Sequence, residues 1–117
     1  LIDGAHGFPL PSIDWYYGAR LLKVGGIIAI DDVQLWSVKI LVDFLKGEKD
    51  WTHLKTIEAK TSFFRLDQPF SYEEWLYQPY TERKSRWSRR ISRLTRLASY
   101  VSHGEWKRIS DALKYKT

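Results

Sequence analysis

The run Gly26-Ile27-Ile28-Ala29-Ile30, closed by Asp31-Asp32, limits what this chain can fold into more than any other stretch. A short, continuous, β-branched apolar run bounded by glycine and acids has the pattern of a strand buried on both faces, as in a parallel sheet under helices. Its flanks agree. Upstream, Leu1-Ile2 reads as the last part of another buried strand, ended by the turn region from Gly4 to Pro11. Ser12 is placed to cap a helix running to Lys23, with Trp15, Ala19 and Leu22 on one stripe, and Gly25-Gly26 ends it. Downstream, Val33 to Lys46 carries Leu35, Val38, Leu41, Val42 and Leu45 at helical spacing, with Gly47 as the stop. Strand, helix, strand, helix implies an α/β fold with right-handed parallel crossovers.

After Asp50 the pattern changes. Trp51 to Glu58 has the mixed character of a half-exposed strand, and Thr61 to Leu66 follows within a hairpin's reach, which predicts an antiparallel pair at a sheet edge. Ser71 to Tyr77 reads as a short aromatic helix with Glu74 at capping-box spacing from Ser71. Between Glu82 and Ser102, Trp87, Ile91, Leu94, Ala98 and Val101 form a helical stripe, while Arg86, Arg89, Arg90, Arg93 and Arg96 crowd the other faces. A last helix is expected from Glu105 to Tyr115. The expected organisation is therefore a sheet-bearing part, residues 1–69, and a helical, Arg-rich extension, residues 70–117.

At 117 residues the chain is one domain's worth, without cysteine and without methionine. No disulfide or thiol chemistry is open to it, any metal must use oxygen or imidazole ligands, and a cytoplasmic setting fits. The lack of methionine places the start codon outside this chain, which is expected to be a fragment of a longer protein. No run approaches the roughly eighteen apolar residues that cross a bilayer. The net charge of +5 conceals two regions: residues 1–80 hold 8 basic and 11 acidic residues, and residues 81–117 hold 11 basic and 3 acidic ones. The basicity belongs to the extension.

In an open parallel sheet, ligands bind beyond the carboxyl ends of the strands. Asp3 follows the first strand, and Asp31 and Asp32 follow the second. Neighbouring strands lie about 4.8 Å apart, so three carboxylates can converge, and a divalent cation relieves their repulsion. An all-oxygen set favours magnesium, calcium or manganese over zinc. A plainer alternative has Asp3 and Asp32 capping turns and the helix that starts at Val33. His6 is likewise either a surface residue of a turn or a general base. Trp15, Tyr16, Tyr17 and Trp36 fit either an acceptor platform beside this corner or core packing.

The run LIDGAHGFPLPSIDWYYGARLLKVGGIIAIDDVQLW, with its strand ending in Asp3 and His6, its Leu21-Leu22 to Gly25-Gly26 turn and its strand ending in two acids, resembles class I S-adenosylmethionine-dependent methyltransferases. It is most similar to cation-dependent O-methyltransferases of the catechol and caffeoyl-CoA type and to those that modify macrolide sugars. The likeness covers residues 1–66 and implies the carboxyl-terminal half of a Rossmann-like sheet, parallel strands plus an antiparallel edge hairpin. It implies that Asp3 serves both cofactor and metal, that Asp31 and Asp32 complete the metal site with magnesium, and that His6 is the catalytic base. His6 and an aspartate at 32 depart from the catechol type and favour a sugar or other aliphatic hydroxyl. No glycine-rich loop for the cofactor's amino-acid end occurs in the chain, and Gly25-Gly26 precedes a strand instead of following one.

The functional expectation is S-adenosylmethionine-dependent methylation of a small-molecule hydroxyl with divalent-metal assistance. Two alternatives stand beside it: a non-catalytic module acting through the basic extension, and another metal-assisted reaction on the same scaffold. For the extension, the stripe from Trp87 to Val101 docks on the domain or on a second subunit as a homodimer, or residues 82–102 lie on an anionic membrane surface. Clustered arginine also attracts nucleic acid, but no recognition motif accompanies it.

Overall fold

The computed structural model describes residues 1–71 and 73–114, without the side chain of Trp75. The chain divides into two compact units, Leu1–Thr81 and Glu82–Thr117. The first is mixed α/β. Its elements are α1 (Leu10–Leu21), β1 (Ile27–Ile30), α2 (Trp36–Gly47), β2 (Trp51–Ile57) and β3 (Thr61–Leu66), followed by a 3-10 turn at Trp75–Tyr77. Helix α3 (Pro79–Ser102) runs from the first unit into the second, and α4 (Trp106–Lys114) ends the described chain.

The sheet has three strands in the order β1-β3-β2, and both pairings are antiparallel. This corrects the expected parallel sheet: the hairpin's second strand enters between β1 and β2 instead of standing at the edge. Strands β1 and β2 consequently run parallel to each other with β3 reversed between them. A direct parallel contact does exist at Ile2, whose N–H donates to Ala29 O at 2.8 Å and whose carbonyl accepts from Asp31 N–H at 3.0 Å. It is a single bridge to Ile30, not a strand.

The continuous apolar run of β1 also proves to alternate. Ile28 and Ile30 are buried, while Ile27 is 55% exposed. Cross-strand partners share the buried face: Ile28 opposes Phe64, and Ile30 opposes Ser62. One core serves this face, filled by Val38, Leu41, Val42 and Leu45 of α2 and Ala19 of α1. Each fully buried side chain of this size is worth about 1.5–3 kcal/mol, so the α2 stripe is what holds the helix on the sheet. Gly26 is required where α1 turns into β1, because a Cβ there would lie 2.7 Å from Leu22 Cδ2 and 2.8 Å from Lys23 O.

Helix boundaries shift for local reasons. Helix α1 starts at Leu10 with Pro11 in its first turn, and Ser12 is not its cap. Helix α2 starts at Trp36, three residues after the expected Val33, because Asp32 to Leu35 close a turn through Leu35 N–H to Asp32 O at 2.9 Å. The aromatic helix expected from Ser71 reduces to the 3-10 turn, and Tyr72 and Tyr115 lie outside the described residues. Helices α3 and α4 carry no buried residue, and Trp87, Ile91, Leu94 and Val101 are all exposed.

Candidate functional site

Three chain segments meet at the end of β1. The first is Asp3 to His6, tethered through the Ile2 bridge and through Ser37 Oγ, which donates to His6 O. The second is Asp31-Asp32. The third is the tight turn joining β2 to β3, where Glu58 and Ala59 both have positive φ and Lys60 N–H donates to Ile57 O at 2.9 Å. Two positive φ values at the central residues make this a type I′ hairpin turn. Val33 N–H donates to Lys60 O at 2.9 Å, which fastens that turn to the loop after β1.

Asp3, His6 and Asp32 each offer a ligand atom, and these atoms lie within 4.8 Å of one another. His6 Nε2 stands 3.2 Å from Asp32 Oδ2, too poorly aligned to count as a hydrogen bond. Gln34 Nε2 donates to Asp32 Oδ1 at 3.0 Å. Asp32 adopts φ 54°, the left-handed conformation that aspartate tolerates better than most residues. Helix α2 is capped at Leu35 without a side-chain bond, so Asp32 is not its N-cap. Asp3 is exposed and also borders a groove of about 480 Å³ with Asp14, Tyr17 and Leu22.

Asp31 belongs to a different set of contacts. Thr61 Oγ1 donates to its Oδ1 at 2.5 Å, and Lys60 Nζ pairs with its Oδ2 at 3.2 Å. The Thr61 hydroxyl, helped by Lys60, holds the Asp31 carboxyl below the usual 3.8. In return Asp31, with Asp32 and Asp3 behind it, raises Lys60 above the usual 10.5. Lys60 Nζ also stands 3.7 Å from Asp32 Oδ1. The lysine thus offsets part of the charge of the cluster while remaining 51% exposed.

Of the acids singled out by sequence, the structure brings Asp3 and Asp32 together with His6 and turns Asp31 toward Thr61 and Lys60. Lys60, Thr61 and Gln34 were not foreseen. Only the placement of β3 beside β1 delivers the first two, and no local motif announces it. The aromatic residues part company: Trp15 and Tyr16 pack against Phe70, Tyr17 stays by the Asp3 groove, and Trp36 is 73% exposed. Comparison with family models, curated proteins and solved structures gives no match to this chain.

Proposed function

We propose that this chain supplies the acceptor side of an S-adenosylmethionine-dependent O-methyltransferase that methylates a small-molecule or sugar hydroxyl with the help of a divalent cation. The observation that carries this reading is the convergence of Asp3, His6 and Asp32 at the ends of two segments joined by a parallel bridge. The donor set fits a hard cation, with carboxylate oxygens and one imidazole in reach.

A divalent cation bound by Asp3 and Asp32 would supply Lewis acidity toward the acceptor hydroxyl. The chain's own groups then do the rest. The groove beside Asp3 gives the acceptor room, with Asp14 and Tyr17 as polar walls. His6 takes the hydroxyl proton, and Asp32 Oδ2, 3.2 Å from its Nε2, stabilises the imidazolium that forms. Asp31 is a positioning residue: bonded to Thr61 and Lys60, it fixes the backbone from which Asp32 projects. Asp3 is the residue assigned to contact the methyl donor.

A second reading rests on Lys60. Its ammonium already lies 3.2 Å from Asp31 and 3.7 Å from Asp32, which favours proton transfer by the His6–Asp32 pair without a metal. Transfer of labelled methyl from S-adenosylmethionine to sugar and other aliphatic alcohols by the natural full-length protein tests both. The metal-assisted reading predicts transfer that chelation abolishes and Mg²⁺ restores; transfer that survives chelation selects the lysine reading. In both, His6→Ala lowers kcat with a deficit that shrinks as pH rises. Absence of transfer, or a His6→Ala effect confined to KM, overturns them.

A further inference from the structure

At the opposite end of the same sheet, where β2 begins and β3 ends, lies a cavity of about 100 Å³. Its walls are aromatic. Trp15 touches three other rings, with its ring centroid 5.4 Å from that of Phe44, 5.7 Å from Phe70 and 6.2 Å from Trp51. Neighbouring rings meet at steep angles, between 58° and 83°, packing edge to face or tilted, and the same four residues line the cavity. Three carboxylates, Glu48, Asp50 and Glu73, share the lining with Ser71 and Gln78.

Those carboxylates are poorly compensated. Lys49 Nζ approaches Glu73 Oε1 only to 3.8 Å and is itself 60% exposed. Glu48 Oε1 accepts the Tyr80 N–H at 2.9 Å, and neither Glu48 nor Asp50 has an ion-pair partner among the described residues. Burial raises the Glu48 carboxyl above its usual 4.5, and the like charges of Asp50 and Glu73 push in the same direction. Trp15 Nε1–H is buried and has no hydrogen-bond partner among the described residues. Aromatic faces attract cations through their quadrupole, tryptophan most strongly, and a site rich in acceptors and poor in competing cations adds a Coulombic preference.

We infer that this cavity binds a small organic cation of the quaternary ammonium class, its methylated head enclosed by Trp15, Phe44, Trp51 and Phe70 and its charge balanced by Glu48, Asp50 and Glu73. The size argues for a headgroup alone, being well under the roughly 300 Å³ at which pockets for drug-sized ligands begin. The site is separate from the acidic corner and does not depend on the function proposed for it.

Titration of the full chain with choline, followed by calorimetry and by the indole N–H resonance of Trp15, tests the inference. The comparison ligand is 3,3-dimethyl-1-butanol, which has the same shape without the charge. Choline is expected to bind about tenfold more tightly than the neutral analogue, a difference of about 1.4 kcal/mol in line with a partly desolvated cation–π site. Glu73→Gln, on the rim, and Phe70→Leu, which keeps bulk but removes a ring face, should each reduce that preference while leaving the thermal transition cooperative. Equal binding of the two ligands, no saturable choline binding, or a preference unchanged in both variants overturns it.

Discussion

Asp31 and Asp32 are adjacent in sequence and share Lys60, but their other contacts differ. The strand directs Asp31 toward β3, where Thr61 and Lys60 hold it ionised, whereas the left-handed backbone at Asp32 swings its carboxylate toward His6. The Asp31 carboxyl titrates below its usual value in the folded chain, so its contribution to stability is present above pH 3.8 and is lost as pH falls through the folded value. Lys60 has the opposite sign: its folded value lies above 10.5, so its contribution is present below that pH and is lost as pH rises through the raised value. Denaturant titrations across pH should therefore show a plateau between these limits, with Asp31→Asn removing part of the acid-side loss and Lys60→Met part of the alkaline one. An acid limb identical in Asp31→Asn and wild type would contradict the assignment.

At the scale of elements, close approaches decide where the helices end. Gly47 closes α2 against Tyr80, and a Cβ there would come within 2.7 Å of Tyr80 Cβ and 2.8 Å of its Cδ2. Gly47→Ala should cost about 1–3 kcal/mol in chemical denaturation, the usual penalty for overpacking, and Gly47→Ala with Tyr80→Ala should recover part of it. The sequence reads well where periodicity and punctuation agree. Of the expected stripe, Val38, Leu41, Val42 and Leu45 are buried as spaced while Leu35 lies before the helix and is exposed, and β3 runs from Thr61 to Leu66 as expected. It reads poorly where pairing is non-local. Nothing in Thr61-Ser62-Phe63-Phe64 states that the strand pairs with Ile27 to Ile30 on one side and Trp51 to Ile57 on the other, with Leu54 bulged from the register. That insertion makes the sheet antiparallel and brings Lys60 to the acids, so the same non-local choice explains both the topology correction and the residues of the corner that sequence could not name.

Over the whole molecule, both ends of one small sheet carry carboxylates, in different company. The end of β1 gathers acids, an imidazole and a lysine around Asp32, while the beginning of β2 gathers aromatic rings and carboxylates around Trp15. Most of the basic charge lies in neither, being concentrated in residues 81–117, where α3 and α4 expose Trp87, Trp106 and most of their arginines. The central claim is that Asp3 and Asp32 hold one cation beside His6, and are not separate turn residues. Titration of the chain with Mn²⁺, read by the loss of free-ion signal in electron paramagnetic resonance, tests it most directly. A single saturable Mn²⁺ site that Mg²⁺ displaces, weakened about tenfold or more in Asp3→Asn and in Asp32→Asn with folding stability retained, is the result predicted. Saturation at unchanged affinity in both variants, or no Mn²⁺ binding by the wild-type chain, would contradict it.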